Sequence, residues 1–236
     1  MRAWSVLLAA CVGAALACST PTSPTGSDNS SLPAVYQRFK STVTIKVDGS
    51  TVVLTSNGVP DHNSPYFGVG NPGYEAPTAG MTVNPNKIAS QDFVIRVPLS
   101  PATTTASDTP MGPIGMATNG VAIFNQYAAG KQPVASEFPT FDRYNGHPQQ
   151  TGVYHYHIEP VWLTSVSTSA FIGVLLDGFP IYGPTEATGS LPAGLDSCNG
   201  HTHATADVPN GIYHYHVTTN TPYISGCFKG TPGSIG

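Results

Sequence analysis

The chain has 236 residues, of which 9% are charged and 40% hydrophobic, with 25 Gly and 22 Pro. An average soluble domain carries roughly 25% charged residues, so this composition excludes a coiled coil and a charge-rich disordered chain. Nine Lys and Arg against 13 Asp and Glu give a net charge of -4. Because the chain has no basic block, we expect no nucleic-acid partner. The 8 His almost equal the 9 Lys and Arg in number, which directs attention to histidine chemistry.

The first residues have the pattern of an export signal. Arg2 precedes an apolar stretch that is too short to span a bilayer and ends in small residues. We expect residues 1–17 to be a signal peptide and Cys18 to carry a lipid anchor of the bacterial type. Two alternatives stay open: lipidation at Cys11, and ordinary signal-peptidase cleavage after Ala15-Leu16-Ala17, which also satisfies the small-x-small rule.

Residues 18–33 are rich in Ser, Thr and Pro and carry one charge, so they cannot bury a core and are expected to form a tether. Residues 34–236 are then a single domain. The sequence predicts an exported protein of the bacterial cell envelope or cell surface, which contacts the membrane through a lipid anchor only.

The two cysteines outside the signal, Cys198 and Cys227, are expected to form a disulfide, since disulfides persist in exported proteins. An alternative makes Cys198 a metal thiolate, because Cys198-x-x-His201-x-His203 has the spacing of metal ligands. That alternative would leave Cys227 as an odd thiol.

Strand patterns dominate, and no segment keeps a helical period for three turns. Residues 42–47 alternate apolar and polar side chains, and Asp48-Gly49 predicts a hairpin turn into a strand at 51–54. Further predicted strands are 93–97, 121–124, 153–158, 171–176, 179–182 and 213–217. Long Gly/Pro-rich loops at 99–120 and 127–152 separate them. The predicted fold class is all-β, a single sandwich-like or distorted barrel domain with long Gly/Pro-rich loops.

One short segment occurs twice. Residues 152–158 (GVYHYHI) recur as residues 211–217 (GIYHYHV). Since this interpretation takes the flanking residues not to repeat, it predicts a repeated strand and not a duplicated domain.

Histidines alternate along both copies, so each strand presents a His-x-His pair from one face. We expect His155, His157, His214 and His216 to form the core of one transition-metal site, helped by His201 or His203. A metal satisfies several imidazole lone pairs at once, and imidazole ligands suit copper or zinc. A single histidine is usually an ordinary hydrogen-bonding residue, which is how we interpret His62 and His147.

The tyrosines of the two copies, Tyr154, Tyr156, Tyr213 and Tyr215, lie on the opposite strand faces and are expected to be core aromatics. Alternatively, they hydrogen-bond to ligating groups or form an aromatic platform for a sugar or peptide. The segments 119–125 and 177–184 are interpreted as a core strand and as a rigid turn beside the core.

These segments together resemble a known family. The motifs are GVAIFN at 120–125, YHYH at 154–157, DGFPIYGP at 177–184, DSCNGH at 196–201, YHYH at 213–216 and PYxxxCFxG at 222–230. In this order they closely resemble the YHYH-domain proteins, over about residues 90–236. The resemblance implies export, often in bacteria, and supplies no reaction.

The principal hypothesis is therefore an exported, lipid-anchored protein with a multi-histidine transition-metal site. If the metal is catalytic, an open coordination position activates water or oxygen, with Glu159, Asp177 or Asp196 as base or ligand orienter. Standard hydrolase and nucleotide-binding motifs are missing from the sequence, so no nucleotide is expected. Whether the protein is an enzyme stays open.

Two other hypotheses remain. One is a noncatalytic surface module that binds polysaccharide or a protein partner through the tyrosines and through loop aromatics such as Tyr66, Phe67 and Tyr74. The other is metal capture or buffering without a small-molecule substrate.

Overall fold

Two β-sheets contribute to one apolar core in the computed structural model, which describes Met1 and residues 32–236. The expected signal peptide, Cys11, Cys18 and the tether as far as residue 31 lie outside the described residues. Leu32–Gly236 form one compact unit. Over this range no helix is both long and apolar enough to cross a membrane.

The described chain is built from short strands. In chain order they are β1 (Thr44–Asp48), β2 (Thr51–Ser56), β3 (Phe93–Pro98), β4 (Thr103–Asp108), β5 (Pro113–Ala117), β6 (Ala122–Phe124), β7 (Tyr127–Ala128), β8 (Gln132–Pro133), β9 (Gly146–Pro148), β10 (Tyr154–Tyr156), β11 (Phe171–Leu175), β12 (Pro180–Tyr182), β13 (Gly200–His203), β14 (Ile212–His216), β15 (Cys227–Gly230) and β16 (Ser234–Ile235).

Helical structure in the described range is short. It consists of one α-helical turn, α1 (Val161–Thr164), and 3-10 helices at Ala34–Arg38, Pro65–Phe67, Ala129–Lys131 and Val134–Thr140. None of the sheets formed by residues 32–236 closes into a barrel. The expected all-β, sandwich-like class is therefore confirmed, and the barrel alternative is not.

The predicted hairpin forms as β1 and β2, which pair antiparallel from Thr44↔Thr55 to Asp48↔Thr51. Gly49 takes the positive φ that the tight turn requires. The two strands continue into a four-stranded sheet with the order β1-β2-β3-β16. Val52 and Leu54 of this sheet are fully buried and belong to the same apolar core as the larger sheet.

The larger sheet has eight strands in the order β13-β14-β12-β11-β5-β6-β10-β9. This order is symmetric about its centre, because β5, β6, β10 and β9 on one side correspond to β11, β12, β14 and β13 on the other. The central strands pair antiparallel, with Met116 opposite Val174 and equivalent neighbours on each side. The eight strands therefore form two copies of a four-stranded unit, related by a local twofold axis through this central pair.

The sequence of each unit carries the same repeat. IGMATNGVAIFN at 114–125 corresponds to IGVLLDGFPIYG at 172–183, and the turn sequence Asp-x-x-Asn-Gly-His occurs at 142–147 and at 196–201. The YHYH strand follows each turn. Our interpretation of a repeated strand with unrelated flanks is therefore wrong. The repeat covers a whole four-stranded unit, but its middle segments share only a few identities, which hides them from a search for local similarity.

Candidate metal centres

The two YHYH strands occupy distant places in the sheet. Four strands, β6, β5, β11 and β12, lie between β10 and β14. At a strand spacing of about 4.8 Å, this separates the two strands by roughly 24 Å. The histidines of the two copies therefore cannot share one ion, and the expected single site formed by His155, His157, His214 and His216 is not what the structure contains.

The histidines of each YHYH strand instead belong to a separate cluster. Cluster A consists of His147, His155 and His157. Cluster B consists of His201, His203, His214 and His216 with Glu186. The three imidazoles of cluster A, and Glu186 with His201, His203 and His214 of cluster B, offer ligand atoms within 4.8 Å of one another and could each hold a metal ion.

Strand pairing explains why these side chains meet. In β9 and β10 His147 lies directly opposite His155, and in β13 and β14 His201 lies directly opposite His214. Directly opposite residues in a sheet project from the same face. His157 continues the face of His155 two residues further along the strand.

The parallel neighbour of each YHYH strand orients the last histidine of the motif. The His157 Nδ1 donates to the Asn125 carbonyl at 2.5 Å, and the His216 Nδ1 donates to the Gly183 carbonyl at 2.7 Å. Asn125 and Gly183 are equivalent positions of the repeat. Equivalent positions also place an aromatic ring beside an imidazole: Phe124 stacks on His155, with ring centroids 4.0 Å apart, and Tyr182 packs edge-on against His214, at 5.4 Å.

Hydrogen bonds fix the tautomers in cluster A. The His155 Nδ1 donates to the Val153 carbonyl at 3.0 Å. The His147 Nδ1 lies 2.7 Å from the Thr140 hydroxyl, which itself donates to the Glu137 carbonyl and therefore accepts from the histidine. Since a neutral imidazole carries one N–H, the Nε2 atom of each cluster A histidine presents a lone pair.

These lone pairs converge. The Nε2 of His155 lies 3.1 Å from that of His147 and 3.0 Å from that of His157. All three side chains are buried. Burial lowers the pKa of His147 to about 3, with the neighbouring His157 as a further cause, and burial lowers the pKa of His157 to about 4. The cluster is therefore neutral at physiological pH. Its three Nε2 atoms face one another, and each is a hydrogen-bond acceptor.

Cluster B has an arrangement of histidines and Nδ1 hydrogen bonds similar to that of cluster A, with additional side chains that could ligate a metal. The His201 Nδ1 donates to the Ala193 carbonyl, and the His214 Nδ1 donates to the Ile212 carbonyl, both at 3.0 Å. Their Nε2 atoms lie 3.1 Å apart. Burial lowers the pKa of His214 to about 4.

A carboxylate reaches into cluster B. The Glu186 Oε1 lies 3.0 Å from the Nε2 of His203, 3.2 Å from that of His201 and 3.5 Å from that of His216. In cluster A a carboxylate also lies beside the imidazoles, at a greater distance: the Glu137 Oε2 lies 3.6 Å from the Nε2 of His147 and 3.7 Å from that of His157. Burial raises the pKa of the Glu137 carboxyl.

The tyrosines of both motifs point away from the clusters and support the fold behind them. Tyr154 and Tyr213 donate to Asp142 and Asp196, the carboxylates that begin the two equivalent turns. Tyr215 donates to Asp177 at 2.5 Å, and Asn119, the equivalent of Asp177, donates to the Tyr156 hydroxyl. All four tyrosines are buried. They are core residues, as expected, and the aromatic-platform alternative is wrong for them.

The candidate catalytic carboxylates lie outside both clusters. Asp177 is fully buried and accepts from Tyr215 and from the amides of Lys229 and Gly230. Asp196 accepts from the amides of Cys198 and Gly200 and so holds the turn that carries His201. Both residues are positioned to support the structure, and neither belongs to a metal-ligating group.

The remaining candidates also have structural contacts. The Glu159 carboxylate accepts from the Thr164 hydroxyl at 2.6 Å, and Glu159 is in neither metal-ligating group. Tyr66, proposed as a surface aromatic, is buried and donates to the Thr140 carbonyl.

Cys198 and Cys227 form the expected disulfide, with their Cα atoms 5.1 Å apart. The alternative in which Cys198 ligates a metal is therefore wrong. The bridge ties the turn at 196–201, which leads into cluster B, to β15.

Two cluster residues, His147 and Glu186, and the neighbouring Glu137 were not predicted from the sequence. His147 was interpreted as an ordinary histidine, although it ends the first of the two Asp-x-x-Asn-Gly-His turns, and comparison with His201 could have identified it. Asn145 and Asn199 in these turns both adopt positive φ. Glu137 lies in the 3-10 helix Val134–Thr140 and Glu186 in the loop after β12; neither stands in a motif that marks it.

A protein-family model described as "YHYH protein" matches residues 94–191 and 185–230. These matches include both four-stranded units, both histidine clusters and the disulfide. No curated protein and no solved structure shows a significant match to the chain.

Proposed function

The chain belongs to the YHYH protein family, and the family's motif supplies two histidines of each cluster. We propose that it is an exported protein that binds one transition-metal ion in cluster A and one in cluster B. One observation carries this proposal: three buried Nε2 lone pairs meet at 3.0 and 3.1 Å in cluster A, with every Nδ1 hydrogen already donated elsewhere.

Physical chemistry favours a cation at this point. Three acceptors that face one another without a proton repel, and buried polar atoms without a partner are costly. A tetrahedral ion with metal–nitrogen bonds of 2.0–2.1 Å separates its ligand nitrogens by about 3.3 Å, close to the spacing in cluster A. Cluster B supports the same conclusion, because its His216 Nε2 is buried without a hydrogen-bond partner among the described residues.

The donor set favours copper or zinc. Imidazole ligands suit both metals, whereas magnesium and calcium prefer oxygen ligands. In every cluster histidine except His203, a backbone carbonyl or the Thr140 hydroxyl accepts from Nδ1. This bond holds the ring in the orientation and tautomer that ligation by Nε2 requires.

Export is supported by the disulfide and by the amino-terminal pattern. Disulfides persist outside the reducing cytosol, and Cys198 and Cys227 are bridged. We further propose that residues 1–17 direct export and that a lipid on Cys18 anchors the folded domain to the cell envelope through the tether.

The metal content of purified protein, prepared without a histidine tag and measured by elemental mass spectrometry, tests the proposed function. The wild-type protein is expected to hold two equivalents of copper or zinc. The variant H147A/H155A, which lacks cluster A, and the variant H201A/H214A, which lacks cluster B, are each expected to hold one. A protein that binds no metal from a metal-replete solution, while its circular dichroism shows the native fold, overturns the proposal.

A further inference from the structure

The two clusters occupy equivalent positions in the two four-stranded units but differ in the side chains that could ligate a metal. His147, His155 and His157 of cluster A correspond in the repeat to His201, His214 and His216 of cluster B. The next position on the same strand face differs, because Gln149 in the first unit corresponds to His203 in the second. Cluster B therefore has a fourth imidazole that cluster A lacks.

The carboxylates increase this difference. In cluster B the Glu186 Oε1 already lies 3.0 to 3.5 Å from three ring nitrogens. In cluster A the Glu137 Oε2 lies 3.6 and 3.7 Å from two of them, and Glu137 is not among the residues whose ligand atoms all lie within 4.8 Å of one another. An ion in cluster A would have three protein ligands, whereas an ion in cluster B would have four within reach: His201, His203, His214 and Glu186.

Both clusters border a cleft. The cleft beside cluster A has a volume of about 550 Å³ and is lined by Phe124, Tyr127 and Glu137 together with the histidines. The cleft beside cluster B is smaller, about 350 Å³, and Glu186 and His203 both line it. In cluster B, two side chains that could ligate a metal, Glu186 and His203, therefore lie on the side that faces the cleft.

We propose that cluster A is the reactive centre of the protein, where a metal held by three histidines keeps one coordination position open to the cleft for a small ligand such as water or a small anion. Cluster B is coordinatively closed and holds its metal without exchangeable ligands. This inference rests on the proposed function. Three protein ligands with an open position are typical of catalytic metal sites, and four protein ligands are typical of structural ones.

Azide is the probe that distinguishes the two centres. The variant H201A/H214A, which retains cluster A, and the variant H147A/H155A, which retains cluster B, are loaded with Cu(II) and titrated with azide. Cluster A is expected to develop an azide-to-copper charge-transfer band and a shifted electron paramagnetic resonance spectrum. Cluster B is expected to show no change.

The outcomes separate this inference from the proposed function. If the variant that retains cluster A binds one copper ion but its spectra do not respond to azide, the open position is refuted and metal binding stands. If azide also binds copper in cluster B, the assigned difference is refuted. If neither variant binds copper, both proposals fall together.

Exchanging the differing residues provides a second test that spares the shared ligands. Q149H adds an imidazole at an exposed position beside cluster A, and H203Q/E186Q removes the two additional donors of cluster B. With copper bound, Q149H is expected to lose the azide response of cluster A, and H203Q/E186Q is expected to gain one in cluster B. An E137A variant checks the carboxylate: if azide binds cluster A only after this substitution, Glu137 is the fourth ligand and the inference is wrong.

Discussion

Asp142 should determine both the stability of the first unit and the metal affinity of cluster A. Its buried carboxylate accepts from the Ser64 hydroxyl at 2.6 Å, the Tyr154 hydroxyl at 2.7 Å, the Tyr144 amide at 2.9 Å and the Gly146 amide at 3.3 Å. The two amides belong to the turn that leads into His147. The carboxylate therefore joins the turn to the core behind β10.

The magnitude follows from the groups that D142A would leave without an acceptor. Ser64 and Tyr154 are fully buried, and each buried hydroxyl without a partner costs about 1–3 kcal/mol. The free energy of unfolding should therefore fall by about 2–6 kcal/mol, as measured by urea denaturation. Because the turn also loses its anchor, the affinity of cluster A for metal should fall about 10- to 100-fold, as for other residues that orient metal ligands.

Asp196 provides the matched control. In a chain that lacks cluster B, D142A should weaken metal binding in a chelator-competition titration, whereas D196A should not. In a chain that lacks cluster A, the pattern should reverse. The stability loss for D196A should be smaller than for D142A, because the Asp196 side chain is 32% exposed. Unchanged stability and unchanged cluster A affinity in D142A would refute this role of the turn.

Three further predictions concern the scaffold and the metal. Gly146 packs directly against the Tyr154 ring, so G146A should destabilise the protein by about 1–3 kcal/mol through overpacking, measured by thermal denaturation. The C198A/C227A variant loses a bridge spanning 29 residues of sequence and should unfold about 3–4 kcal/mol more easily in urea, with weaker metal binding in cluster B than in cluster A. Free metal at 100 times its dissociation constant should stabilise the fold by about 2.7 kcal/mol per occupied cluster, and a chelator should abolish the shift in melting temperature.

The alternation of apolar and polar residues was the sequence pattern that predicted strands of the fold well. The predicted strand at 93–97 is β3, and the predicted hairpin is β1 and β2. By contrast, β4 was assigned to a loop, because all six of its residues are exposed and it has no apolar alternation. Its partner, β15, lies more than a hundred residues away along the chain, so no local pattern indicates the pairing.

The same distinction applies to the clusters. The His-x-His spacing placed His155 with His157 on one face, because strand periodicity is local. The number of sites depends on where β10 and β14 lie in the sheet, and the pairing of β5 with β11 sets that distance. This pairing joins the two four-stranded units. That it separates the two YHYH strands could be inferred only after the whole repeat was recognised.

Crystals of the metal-loaded protein, measured at the absorption edges of copper and zinc, test the central claim most directly. The account predicts two anomalous peaks per chain, one among the Nε2 atoms of His147, His155 and His157 and one in cluster B, separated by the four intervening strands. A single peak shared by both YHYH strands, or no peak at either cluster after soaking with both metals, would contradict it.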